Sequence, residues 1–212
     1  MSQLTAAILN QLQTNYHQPV LRLATGNWFT GADLLEDIQL CRTSLGQQQL
    51  QAGQTILLSP TQPAVIPGLL IASWQLGLTV TLTPPSSHQP DFSPQAYAAM
   101  VFSPSQTTRL AHQLDPQQIS ALTLILNTAP HFTYFVHDNA ETLTRHSRPD
   151  LILPADQRQL TQAELYQQAR ATAPTATCVI NVYDYQHGLL PCLGSLLAAQ
   201  PVTIKVGSVL AR

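Results

Sequence analysis

Charge is what this sequence has least of. Asp, Glu, Lys and Arg make up 9% of its 212 residues, against roughly 25% in an ordinary soluble domain. Lysine occurs once, at Lys205. A nucleic-acid site needs clustered Lys or Arg to displace counterions from phosphates. Nine scattered basic residues and a net charge of −2 form no such stripe, so no nucleic-acid partner is expected. Cysteine is scarce too. Cys41, Cys178 and Cys192 are odd in number and far apart, which suits reduced thiols of a cytoplasmic protein and not a disulfide framework. The N-terminal "MSQLTAAILNQLQTNYHQ" has no basic n-region and no small-residue cleavage site after an apolar run, so it does not read as a signal peptide. Glycine is missing from everything between Gly77 and Gly188. That excludes any glycine-built anion cradle in the middle of the chain. One run, residues 64–82, is nearly free of polar groups over a bilayer-spanning length. Pro67, Gly68, Gln75 and Gly77 interrupt it, and it predicts a helix, a glycine stop and a buried strand, with no membrane span.

What is present is the pattern of an α/β protein. Hydrophobic residues make up 44%, and a chain of this length buries about 70% of its unfolded surface, enough for a single domain over 1–212. Ser2 caps a helix with Leu4, Ile8 and Leu12 on one face. "PVLRLAT" and "NWFT" flank a hairpin signal at Gly26–Asn27. Thr30 caps a second helix with Asp33 near its positive end and a stripe of Leu34, Ile38, Cys41 and Leu45. Strands are predicted at 55–60, 78–83, 98–104, 121–127, 132–137, 150–154, 178–183 and 202–206. Helices are predicted at 62–76, 105–114, from Thr161 to about Ala171, and from about Gly188 to Ala198. Residues 83–94 read as a long surface loop. Leu160, Thr161, Glu164 and Leu165 form a hydrophobic staple with a capping box. Apolar strands alternating with helices predict a mostly parallel sheet with helices on both faces.

Few residues invite chemistry. His137, Asp138, Glu141 and His146 have no known metal spacing and read as polar loop residues, so no metal is expected. A Cys178–His187 or Cys192–His187 nucleophile pair is weighed against cysteines in apolar elements, which behave as small buried hydrophobes. "VYDYQHG" is the most chemically loaded stretch. Tyr183, Asp184, Tyr185, His187 and Gly188 follow a strand, where α/β proteins place ligands, and they form a candidate ligand site or, as plainly, a polar loop.

Residues 19–85 carry a resemblance. "FTGADLL", "LQAGQTILLSP" and "LLIASWQLGLTVTLTPP" follow the order of parts that opens the adenylate-forming enzymes: acyl-CoA synthetases, adenylation domains and luciferases. "VYDYQHGLLPCLGSLLAAQPVTIKV" is similar to the family's P-L-F-H-x-x-G segment, the helix after it and the next strand. The resemblance spans most of the chain and implies the fold of the first part of the acyl-CoA synthetase large domain. It also implies two damaged motifs. The family's phosphate loop, roughly T-S-G-T-T-G-x-P-K-G, would lie where this chain has Pro154, Ala155, Asp156, Gln157, Arg158 and Gln159, without glycine or lysine. This turn is expected to join strand to helix through ordinary dihedrals. Aligned on Gly188, the family's histidine position is held by Tyr185 and its aromatic position by Asp184. The resemblance therefore implies an AMP-dependent synthetase-like fragment that is non-catalytic alone, needs no cofactor, and acts as a scaffold or partner subunit. Its partner is expected to be a second copy or a separately encoded protein. The alternatives are a module that binds an acyl or aryl acid, CoA or a nucleotide, and a subunit of a split acyl-CoA ligase active only with its partner.

Overall fold

The computed structural model describes residues 2–85, 96–101, 117–137, 149–172 and 179–205. Five α-helices lie among them: α1 (Gln3–Thr14), α2 (Gly31–Gln47), α3 (Ile66–Gln75), α4 (Gln162–Ala171) and α5 (Leu190–Leu197). Three of the helix starts, those of α1, α2 and α4, are the ones that the caps predict. Ser2 accepts from the Thr5 amide, and Thr30 and Thr161 form capping boxes with Asp33 and Glu164. Each box satisfies two otherwise orphaned backbone donors and is worth about 1 kcal/mol. The staple partners Leu160 and Leu165 are both buried.

Eleven strands among the described residues make two sheets. The seven-stranded sheet contains β3 (Thr55–Leu58), β4 (Thr79–Leu82), β5 (Ala99–Val101), β6 (Ile119–Leu124), β7 (Phe132–His137), β8 (Leu151–Leu153) and β9 (Arg158–Leu160), in the order β6-β7-β5-β3-β4-β8-β9. Its centre, β5-β3-β4-β8, is parallel, and its edges are antiparallel hairpins. Every residue of β3 and β4 is buried, as unbroken apolar runs require when both faces are covered. The second sheet has the order β10-β11-β1-β2, from β1 (Pro19–Leu23), β2 (Trp28–Thr30), β10 (Val179–Ile180) and β11 (Val202–Ile204). One apolar cluster joins both sheets through all five helices. The α/β class and the parallel centre follow the sequence pattern; the division into two sheets does not show in it, because β1 pairs with β11 across almost the whole chain.

Three local expectations are corrected. Residues 154–160 do not simply lead from strand to helix. Pro154–Asp156 form a 3-10 turn, Gln157 adopts a left-handed conformation (φ 51°, ψ 38°), and β9 returns antiparallel to β8 with Leu153 opposite Arg158. The dihedrals of this turn are therefore not all ordinary. The strand expected at 178–183 is only Val179–Ile180 among the described residues, and a π-helical turn, Tyr185–Leu189, occupies the start expected for the last helix. The predicted helix 105–114, with Asp138, Glu141, His146 and Cys178, lies outside the described residues. No described helix is long and apolar enough to cross a membrane.

Candidate functional site

The tight hairpin β8–β9 and the π-turn come from distant parts of the sequence and face each other across a cleft of about 540 Å³. Asp156 and Arg158 line it from the hairpin, and Asn181, Tyr183, Asp184, Tyr185, Gln186 and His187 from the other side; Pro84 completes it. Of the hairpin candidates, Asp156 and Arg158 thus lie across the cleft from Tyr183, Asp184, Tyr185 and His187, whereas Pro154, Ala155, Gln157 and Gln159 do not line it. Pro84, Asn181 and Gln186 were not singled out. The signal for Pro84 was its place just beyond the carboxyl end of β4, since α/β clefts open at the carboxyl ends of parallel strands.

The π-turn is held by its own backbone. The Leu189 amide donates to the Asp184 carbonyl at 2.7 Å, and the Asp184 carboxylate caps the turn by accepting from the His187 amide at 2.9 Å. Gly188 makes the turn possible. A Cβ there would stand 1.7 Å from the Asn181 carbonyl oxygen, well inside any permitted contact, so only glycine allows the turn to lie against residues 181–182. Gly188 therefore has a packing role and does not line the cleft.

The side chains divide into those locked and those free. Tyr185 is 4% exposed. Its hydroxyl donates to Gln168 Oε1 on α4 at 2.7 Å, and the Arg158 guanidinium lies 5.1 Å above its ring, a cation–π contact across the cleft. Burial pushes its phenol pKa up. Tyr183 donates to the Pro60 carbonyl, and burial raises its phenol pKa strongly. His187 is 83% exposed, with Nδ1 3.4 Å from an Asp184 oxygen. Thus Asp184 and His187 present polar atoms to the cleft, whereas the tyrosines serve mainly as its walls.

The cysteine readings do not gain from the geometry. Cys192 is fully buried, and burial pushes its thiol up to about 12; with His187 at the surface, the two form no nucleophile pair. Cys41 is buried with its thiol also pushed up to about 12, by burial first and the nearby Asp37 second. His137 is buried at the end of β7. Among the described residues no three His, Cys, Asp or Glu side chains converge as a metal set. Sequence reasoning missed Asp37. This buried carboxylate accepts from the Asn127 amide (2.7 Å), the Thr128 amide (2.9 Å) and the Thr128 hydroxyl (2.6 Å), tying the β6–β7 connection to α2.

No protein-family model and no curated protein matches the chain. Solved structures do. Unliganded O-succinylbenzoate coenzyme A synthetase (MenE) from Bacillus subtilis matches 95% of this chain at a TM-score of 0.63 and 11% identity, with 46% of that chain covered. MatB from Rhodopseudomonas palustris gives 0.61 at 16% identity, over 95% of this chain and 44% of that one. VinN gives 0.63 at 10% identity, over 96% and 59%. The chain has the fold of the adenylate-forming enzymes. It spans about half the length of the solved structures it matches. At these identities the likeness concerns the fold, so the residues at the cleft must speak for themselves.

Proposed function

We propose that this protein uses the adenylate-forming fold without its chemistry, as a scaffold or partner subunit. The observation that carries this is the hairpin turn Pro154–Gln157. Four residues close the hairpin where the family's motif is ten residues long. A triphosphate needs several backbone amides turned inward and a compensating positive charge. Here Pro154 has no amide hydrogen, the Gln157 amide is bonded to the Pro154 carbonyl, and Asp156 adds a repelling charge. Arg158, which lines the cleft, is stacked on Tyr185. Adenylation rests almost wholly on positioning and charge stabilisation at phosphorus, and neither is built into this turn. ATP–pyrophosphate exchange with a broad panel of carboxylic acids tests the proposal: the expected result is no exchange above the protein-free blank. Acid-dependent exchange would refute it.

The cleft favours a second reading, a module that binds a polar small molecule such as an acyl or aryl acid, CoA or a nucleotide. His187, Asp184 and Arg158 would supply its contacts. Because Tyr185 is buried and pinned, His187→Ala is the cleaner probe. A ligand that raises the melting temperature of the wild type but not of His187→Ala supports this reading, and silence across those ligand classes retires it.

A further inference from the structure

The scaffold reading needs a surface that meets a partner, and the sheet edges supply a candidate. Among the described residues four strands end the two sheets: β2, β6, β9 and β10. Three of them are short, at three residues or fewer, and β9 carries Arg158. β6 has six residues in unbroken register with β7. Proteins usually blunt such an edge with lysine, proline or a bulge. β6 has none of these, and no Asp, Glu, Lys or Arg occurs from Gln117 to His137.

The direction of its free hydrogen-bonding groups follows from its neighbours. The His137 amide donates to the Ala98 carbonyl, on the β5 side. In the Ile119↔His137 pair the two residues therefore do not bond each other, because in an antiparallel ladder bonded and non-bonded pairs alternate. Ile119, Ala121 and Thr123 consequently turn both N–H and C=O outward, and no described residue pairs with them. Apolar packing also stops short here. On one face Leu122 and Leu124 lie half-covered at the rim of the main core; on the other Ile119 lies at the rim of the smaller Leu57–Met100 cluster. Ile125, directly after the strand, is 80% exposed.

We infer that β6 is a dimerisation edge, pairing antiparallel with β6 of a second copy about a two-fold axis at Ala121. The inference rests on the partner-subunit reading and names the partner. Pairing about Ala121 sets Ile119 opposite Thr123 of the second copy. All the outward backbone groups of the strand then exchange bonds, and Leu122 and Leu124 extend the core across the junction. The choice of a second copy follows from charge. Around a two-fold axis each residue meets its own copy or a near neighbour of it, so any charge on this edge would face a like charge. The strand has no charge to oppose that pairing.

Sedimentation velocity of the full chain at micromolar concentration tests this, with Ala121→Pro and Ala121→Lys. The outward Ala121 amide is not used by β7, so proline is tolerated there as on other edge strands. Lysine keeps the backbone and brings two charges together at the axis. The expected result is a wild-type mass of twice 23.1 kDa, falling to the single mass in both variants, with unchanged circular dichroism. Gln159→Lys, on the opposite edge of the sheet, leaves the dimer intact. A monomeric wild type, or a dimer that survives both Ala121 substitutions, overturns the inference. Pyrophosphate exchange judges the non-catalytic reading separately, so the two can fail independently.

Discussion

The two turns that face each other across the cleft differ in what constrains them. The hairpin turn Pro154–Gln157 touches its surroundings lightly: Pro154, Ala155, Asp156 and Gln157 are not buried. It contains no glycine even where the backbone is left-handed. The π-turn Tyr185–Leu189 is packed against residues 181–182 and keeps its one glycine where a Cβ cannot fit. Glycine serves two purposes at such places: close approach to a ligand, and close approach to the protein's own backbone. Here the second need survives at Gly188, while nothing in the hairpin requires the first. The contrast fits the scaffold reading proposed above, in which packing and not a ligand constrains the fold.

The sharpest way to break that contrast is Gly188→Ala. The added methyl overlaps the Asn181 carbonyl, so the π-turn must shift away from β10. The expected loss is about 3 kcal/mol or more, read from urea unfolding. A loss under about 1 kcal/mol would show that the turn is not held as described.

How much of this was legible in the sequence depended on range. Caps and stripes are local, and Ser2, Thr30 and Thr161 announced their helices with the right partners. The meeting of Arg158 with Tyr185 was not legible, since it depends on where two sheets sit. The hairpin was missed because β9 is three residues with an exposed, exposed, buried pattern, too short to show a period of two. The π-turn was missed because its defining bond, Leu189 to Asp184, leaves no mark on apolar spacing. Tyr183, Asp184, Tyr185 and His187 were singled out by their chemistry, which could not separate buried walls from exposed side chains. Burial did: it placed Tyr185 inside and His187 outside.

The segment just before the π-turn also predicts an alkaline weakness that the hairpin lacks. Tyr183 is neutral in both states below an ordinary phenol pKa of about 10. Above it the unfolded chain ionises first, while burial keeps the folded phenol protonated. Its contribution therefore falls as pH rises, by about 1.4 kcal/mol per unit. Tyr183→Phe removes the ionisation, so its stability difference from wild type narrows between pH 9 and 11 in paired urea melts. A pH-independent difference would exclude the buried phenol as the cause. On the hairpin side, Thr161→Ala breaks the cap of α4 and costs about 1 kcal/mol in the same assay. Glu164 belongs to that cap, and bonds to the Thr161 backbone and side chain hold its carboxyl below the usual range. Stability from this group is present above the unfolded carboxylate pKa and is lost as pH falls through the lowered folded value. The Thr161→Ala deficit consequently shrinks in acid, the opposite sense to Tyr183→Phe.

The smallest effect is the most discriminating. Gln157 holds a left-handed conformation, which costs a non-glycine residue roughly 1–2 kcal/mol. Glycine relieves that strain but gives the unfolded chain more freedom, roughly 0.5–1 kcal/mol. Gln157→Gly should therefore change stability by roughly 0.75 kcal/mol, the difference between the middles of those ranges, in the stabilising direction. It restores a glycine to the turn without restoring length, inward amides or a lysine. If missing glycine alone had cost the turn a nucleotide, this variant would begin to bind ATP. If the four-residue closure and the proline are what matter, calorimetry shows no ATP binding to either form. Measurable ATP affinity in Gln157→Gly alone would reduce the difference between the two turns to a single residue.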